Sequence, residues 1–408
     1  MTGVLTYARL AYLGIILAGG AIVWTKLSSN GIRLKRGTRT LRASMGEVFE
    51  EHYEIKKEKW PGCSWLEILN ESPLPNAAGS RLLTRVDAQQ VRYYSARTLL
   101  TRRGAYLLGP TTLTTGDPFG LFSARKVVSA KETLVILPMT FPISIFPPPP
   151  GLLPGGKAIR QRTFDMTPNA AEVREYMPGD AMKRIHWPST AHRGQLMVKE
   201  FEQDPQADIW IFLDADHTGH ISESELPTSH QIENMWLRQP AVHLSKDTFE
   251  YGISVAASLA RYFLMNRRAV GLACSAGKFF VVSCERGERQ INKILETLAF
   301  LQPEGIIPLF DLINMQARQL PIGSGVILIT TSNHPNLFHA LEDLRRRKLR
   351  PVVILIKSET FGGRGESEKI VASLQSINIP TCQVGFGDDL GEKLTLPAMY
   401  LQKFTVSK

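Results

Sequence analysis

The feature that most constrains this chain lies at its amino end. From Leu5 to Leu27 it is apolar except for Arg9 and Lys26 near the two ends. As a helix at about 1.5 Å per residue, that run reaches roughly 34 Å, enough for a hydrocarbon core of about 30 Å. Arg9 and Lys26 can extend toward the headgroups, and Tyr7 and Trp24 stand where interfacial aromatics are favoured. The glycines at 14, 19 and 20 are tolerated in lipid and suit a close helix contact. A cleaved signal peptide is the rival. It would carry only Arg9 in its basic region, with no clean A-x-A site behind it. Residues 5–27 are therefore expected to be a transmembrane helix.

Charge supplies the orientation. One Arg precedes the apolar centre, whereas Lys26, Arg33, Lys35, Arg36, Arg39 and Arg42 follow it. The excess of positive charge places the bulk of the chain in the cytoplasm, as a single-pass protein of the cell membrane. The same basic run suits a solvated linker or an anionic lipid surface. The net charge of +10 agrees with an acidic partner or such a surface. Cys63, Cys274, Cys284 and Cys382 form no C-x-x-C pair, which argues against a zinc ribbon or a disulfide framework.

Residues 31–140 read as short strands and turns, a β-rich domain of sandwich or barrel type. The segments Glu47–Lys56, Trp65–Leu69, Arg92–Leu100, Gly104–Leu113 and Thr133–Leu137 carry the pattern. Residues 141–160 hold four consecutive prolines and then glycines, a stiff and then flexible joint. Residues 161–204 contain the densest motif. From 205 to 408 strands alternate with helices, beginning with the continuous apolar run Asp208–Leu213. Such alternation predicts a doubly wound, mostly parallel α/β sheet. Ligands of such sheets collect beyond the carboxyl ends of the strands. The first such end is Leu213-Asp214-Ala215-Asp216-His217-Thr218.

The dense motif runs Val173-Arg174-Glu175-Tyr176-Met177-Pro178-Gly179-Asp180 and on to Lys183-Arg184-Ile185-His186-Trp187. Pro178-Gly179 fits a type II turn, and Asp180 is placed to cap a short helix on which Lys183 and Trp187 share a face. Trp187 would anchor packing, and Arg184 would pair with Glu172 or Glu175. Arg174, Arg184, His186 and Lys199 are read either as a polar clasp between domains or as a protein- or anion-binding patch.

The string R-E-Y-x-P-G-D-x-x-x-R-I-H-W, with Val198-Lys199-Glu200-Phe201-Glu202, resembles the signature of the domain-of-unknown-function 58 family. Arg102–Tyr106, Gly109-Pro110 and Asp117–Phe122 match in the same order. Pro188, where a Lys is usual, and His192-Arg193, where a single Arg is usual, depart from the pattern. The resemblance implies that Arg174, Glu175, Tyr176, Pro178, Gly179, Asp180, Arg184, His186, Trp187, Lys199 and Glu200 form a protein-binding or structural signature. It further implies that the last 200 or so residues form a von Willebrand factor A-like domain. Partners implied by the same resemblance are a MoxR-type AAA+ ATPase and a transglutaminase-like membrane protein.

Domains of that type often hold Mg²⁺ through D-x-S-x-S, a Thr on a second loop and a later Asp. This chain offers Asp214, Asp216 and Thr218. Its second loop, Gly305–Leu309, has no hydroxyl, and its later strand ends Ile329–Ser332 without a carboxylate. Mg²⁺ favours near-octahedral oxygen ligands, so this loop is a degenerate candidate for Mg²⁺, and no other cofactor is expected. There is no G-x-S-x-G, phosphate loop or H-E-x-x-H. The expectation is a non-enzymatic binding or adaptor protein acting with the ATPase to assemble or activate a client complex. The alternatives are a metal-dependent hydrolase using Asp214, Asp216, His217 and His220, and an envelope-associated scaffold. Neither nucleic acid nor a small-molecule substrate is expected, since no aromatics interleave with the basic runs.

Overall fold

The computed structural model describes residues 2–146, 170–177, 182, 185–201, 208–222, 244–332, 334–363, 365 and 367–395. Pro178, Gly179, Asp180 and Arg184 of the signature, and residues 147–160 of the joint, lie outside them.

Helix α1 (Thr2–Ser29) accounts for the apolar run, and its stretch Thr6–Ser29 is long and apolar enough to cross a membrane. Its glycines at 14, 19 and 20 face open space.

The strands that follow are β1 (Ile32–Thr38), β2 (Arg42–Ser44), β3 (Val48–Lys57), β4 (Cys63–Asn70), β5 (Arg81–Val86), β6 (Val91–Leu99), β7 (Gly104–Leu107), β8 (Thr111–Gly116), β9 (Ser123–Val128) and β10 (Thr133–Leu137). They form sheets ordered β1-β3-β6, β2-β10-β7 and β5-β4-β8-β9. The basic run after α1 is neither a linker nor a loose lipid-facing tail over Ile32–Thr38. It is strand β1, antiparallel to β3. The reason is that β3 turns Phe49, Glu51, Tyr53, Ile55 and Lys57 to one face, and Arg36 Nε donates to the buried Glu51 carboxylate at 2.7 Å. A buried carboxylate needs such a partner. The single strand expected over Gly104–Leu113 is instead two, β7 and β8, which belong to different sheets.

Strand β11 (Ala170–Glu175), helix α2 (Trp187–Arg193) and strand β12 (Met197–Phe201) come next, with β11 and β12 paired antiparallel. The α/β half comprises β13 (Ile209–Leu213), α3 (Thr248–Met265), β14 (Val270–Ala276), β15 (Lys278–Glu285), α4 (Glu288–Phe300), α5 (Leu309–Gln316), β16 (Gly325–Thr330), α6 (Pro335–Arg346), β17 (Arg350–Ile356), α7 (Ser367–Ser376), β18 (Thr381–Val384) and α8 (Leu390–Leu394). Its sheet runs β15-β14-β13-β16-β17-β18, parallel throughout except for edge strand β15. Both faces are covered. Ile209, Ile211 and Leu213 pack toward α3 and α4, while Trp210 and Phe212 pack toward α5, α6 and α7. Fully apolar strands such as β13 and β16 are what two-sided burial requires.

Strands β1, β3, β4, β5, β6 and β8 have a core of their own around Tyr53, Ile55, Leu66 and Leu113, whereas the rest of the β-rich half shares the core of the α/β half. Leu100, Leu108, Leu134 and Ile136 pack in the same cluster as α3 and α4. At its centre is Arg103, whose side chain is 2% exposed. Its Nε donates to Leu298 O at 3.0 Å and its Nη2 to Leu301 O at 2.5 Å, so it satisfies the last carbonyls of α4. It also pairs with Glu250 on the first turn of α3 and lies over the Phe249 ring. The chain beyond β10 is then laid along α3: Phe141 N donates to Ser258 Oγ at 2.9 Å, and Phe146 N to Tyr262 Oη at 3.2 Å.

Candidate functional site

Two places concentrate polar groups on this frame, the signature hairpin and the carboxyl edge of the six-stranded sheet.

In the hairpin, Val173 stands opposite Lys199, Arg174 opposite Val198 and Glu175 opposite Met197. The two halves of the signature, separated in sequence, are therefore neighbouring strands. The side chains of Arg174, Lys199 and Glu200 lie outside the described residues. Gln195 Nε2 donates to Glu175 Oε1 at 3.0 Å, and Tyr176 N to Leu196 O at 2.8 Å. Ile185 bridges to Val198, and His186 N donates to Met197 O at 2.8 Å. The helix expected to run from Asp180 through Trp187 is not what forms at Ile185 and His186, which are not helical. Helix α2 begins only at Trp187, with Pro188 in its first turn. Proline there loses nothing, because first-turn amides have no intrahelical acceptor, whereas a proline inside a continuing helix would break it. Trp187, expected to anchor packing, is 66% exposed. His186 Nδ1 lies 2.7 Å from Ser189 Oγ and so helps fix the helix start.

The second place follows from strand order. From β13 the chain passes through α3 to β14 on one side, and later to β16 on the other side. The crevice between the carboxyl ends of β13 and β16 is thus the topological switch point, where open α/β sheets bind ligands. Asp214 sits there, 4% exposed. Thr330 Oγ1 donates to its Oδ2 at 2.5 Å and the Asp216 amide to its Oδ1 at 3.2 Å. Burial pushes the Asp214 carboxyl above the usual carboxylate range despite the Thr330 hydrogen bond. His220 lies behind it, with Nε2 at 3.1 Å from Asp214 O, Nδ1 at 3.2 Å from Thr248 Oγ1 and its ring edge-on to Phe249. Burial pulls its pKa down, so the neutral imidazole is favoured.

Asp216 and Thr218 do not converge on Asp214. Thr218 turns its amide and hydroxyl back onto Asp216 Oδ1, at 3.1 and 2.9 Å, in a local turn. His217 Nδ1 lies 3.0 Å from Gly305 O. Gly305 N in turn donates to Ala215 O at 2.9 Å. A Cβ at 305 would strike Ser275 O and Ala215 O, so only glycine lets these loops approach. Among the described residues no three His, Cys, Asp or Glu side chains are grouped to hold a metal ion. The residues sequence reasoning missed here are Thr330, Thr248 and Thr331, the last donating to Gly219 O at 2.9 Å. The hydroxyl run Thr330-Thr331-Ser332 at a strand end was the available signal.

Residues 172–230 match the model of the family described as "Protein of unknown function DUF58". That stretch takes in the signature hairpin and the Asp214 loop. A relative, "Uncharacterized protein YeaD" of Bacillus subtilis (strain 168), is 24% identical over 211 residues, covering 51% of this chain and 45% of that protein. Residues 172–230 are thus similar to the DUF58 family, in agreement with the R-E-Y-x-P-G-D resemblance, and the chain spans under half the length of that relative. Among solved structures, proximal thread matrix protein 1 from the mussel byssus aligns over 46% of each chain with 12% identity and a TM-score of 0.31.

Proposed function

We propose that the chain is a membrane-anchored binding and adaptor module whose α/β half, of the von Willebrand factor A-like kind, recognises a partner protein through the carboxyl edge of its sheet. The DUF58 resemblance points to a MoxR-type AAA+ ATPase as that partner, with assembly or activation of a client complex as the outcome. One observation carries the reading. The Asp214 carboxylate is taken up by Thr330 and the Asp216 amide, and His220 by Thr248 and the Asp214 carbonyl, which makes the edge a fixed surface rather than a set of groups poised for chemistry. Ile306, next to Gly305, is 81% exposed, and Phe386, just after β18, is half-exposed, and apolar side chains within a polar rim are what protein interfaces use.

The test is association of the detergent-solubilised full chain with a MoxR-type AAA+ ATPase of the same organism, with and without nucleotide. Capture is expected, reduced at least tenfold by Ile306→Asp and unchanged by Ile322→Asp at the opposite edge of the sheet. Absence of binding in every nucleotide state sinks the proposal. The positive charge after α1 orients the bulk of the chain to the cytoplasm in this reading. Protease added outside intact cells should leave the α/β half intact.

A further inference from the structure

The last turns of α1 do not stand clear of the rest of the chain. Ala21, Thr25 and Ser28 are buried and Ala18 half-buried, a single stripe that packs on β8 and β9. Thr25 Oγ1 donates to Phe122 O at 3.4 Å, and Cys63 Sγ to Ser28 O at 3.3 Å. This stripe lies inside the apolar stretch Thr6–Ser29. The portion from Thr6 to Leu17 that keeps every side exposed rises only about 18 Å, well short of a core of about 30 Å. For α1 to cross a bilayer, part of the surface docked on its second half must lie within the membrane's boundary layer.

The turn at that surface, Asp117–Phe122 between β8 and β9, has the composition for it. Phe119 is 70% exposed, Leu121 52% and Phe122 38%. It also has the backbone for it. Asp117 accepts at its carboxylate from the amides of Phe119, Leu121 and Phe122, its carbonyl accepts from Gly120 N, and its own amide donates to Phe122 O. Pro118 has no amide hydrogen, so every N–H of the turn is satisfied within it. Backbone entering a region poor in water must meet that condition. Burial alone would raise the Asp117 carboxyl, but these amides together hold it below the usual range. A Cβ at Gly116 would strike Phe122 O and the Trp65 ring, which fixes the turn tightly against β4. Trp60, also exposed, stands on the turn whose Lys59 packs on Gly31 at the end of α1, where interfacial tryptophan is favoured.

We propose that the Asp117–Phe122 turn dips into the interfacial layer of the bilayer beside α1, a rigid apolar wedge that gives the chain a second hold on the membrane. This rests on α1 being a membrane span. The test uses the full chain in phospholipid vesicles, spin-labelled in turn at Phe119→Cys, at Ile16→Cys in the middle of α1, and at Met315→Cys on α5. Cys284 is changed to Ser, the other three native thiols being buried. Collision of each nitroxide with oxygen, which concentrates in lipid, is compared with collision with a water-soluble nickel chelate. Labels at 16 and 119 are expected to favour oxygen, and the label at 315 nickel. If 119 behaves like 315 while 16 favours oxygen, the wedge is overturned and the span stands. If 16 also favours nickel, the span itself is overturned and the wedge with it.

Discussion

Asp214 and His220 occupy one buried site, and because burial disfavours the charged form of each, it makes stability change with pH in opposite directions. His220 has a lowered pKa, so its contribution is present above the ordinary histidine value of about 6.5 and is lost as pH falls through the folded value. Asp214 has a raised pKa, so its contribution is present below the ordinary value of about 3.9 and is lost as pH rises through the folded value. Chemical denaturation of the full chain in detergent from pH 4 to 8 separates them. In His220→Gln the loss of stability on acidification from pH 7 to 5 should shrink. In Asp214→Asn the opposing loss toward higher pH should disappear. At this scale the sequence was half legible. Asp214 is visible as the residue after a buried strand, but its partner Thr330 is 116 residues away and becomes its neighbour only through strand order.

Among elements, the parallel strands were the most readable, because two-sided burial leaves continuous apolar runs such as Ile209–Leu213 and Gly325–Thr330. Strand β3 was readable too, in the alternation of Glu47–Lys56, but its partner β1 was not, because Arg33, Lys35 and Arg36 leave only Ile32 and Leu34 to show the alternation that period-2 reading needs. The turn signal at Pro178-Gly179 predicts a helix reaching Trp187 from before it, whereas Ile185 and His186 are not helical and α2 starts at Trp187 with Pro188 in its first turn. The loop after α4 offers a direct check on element packing. Gly305→Ala would force its Cβ onto two backbone carbonyls of neighbouring strand ends. A loss of about 2 kcal/mol or more in denaturation is expected, together with weaker amide protection at Ala215–His217 by hydrogen exchange. Tolerance of Ala at full stability would mean that these loops are not locked together.

For the molecule as a whole, Arg103 is the residue that ties its halves. Removing one partner of a buried ion pair typically costs about 3–5 kcal/mol, and here two helix carbonyls lose their donor as well. Arg103→Met should therefore destabilise the full chain by at least that much in chemical denaturation. Arg103→Lys should recover only part of the loss, because a single ammonium cannot reproduce the forked contacts with Leu298, Leu301 and Glu250. The general plan, a β-rich front and an α/β back behind one apolar helix, was legible from periodicity. The shared interior was not, since Leu134 and Ile136 look in sequence like the core of their own strand pair.

That shared interior has a mechanical consequence. Among the described residues, β10 is seated on α4, the Phe141–Phe146 strap is fastened along α3, and α1 is clasped by β8 and β9, so packed contacts run from the far sheet to the apolar helix. With α1 as the proposed span, a tug or twist delivered to the sheet's rim would be felt at the bilayer as tilt.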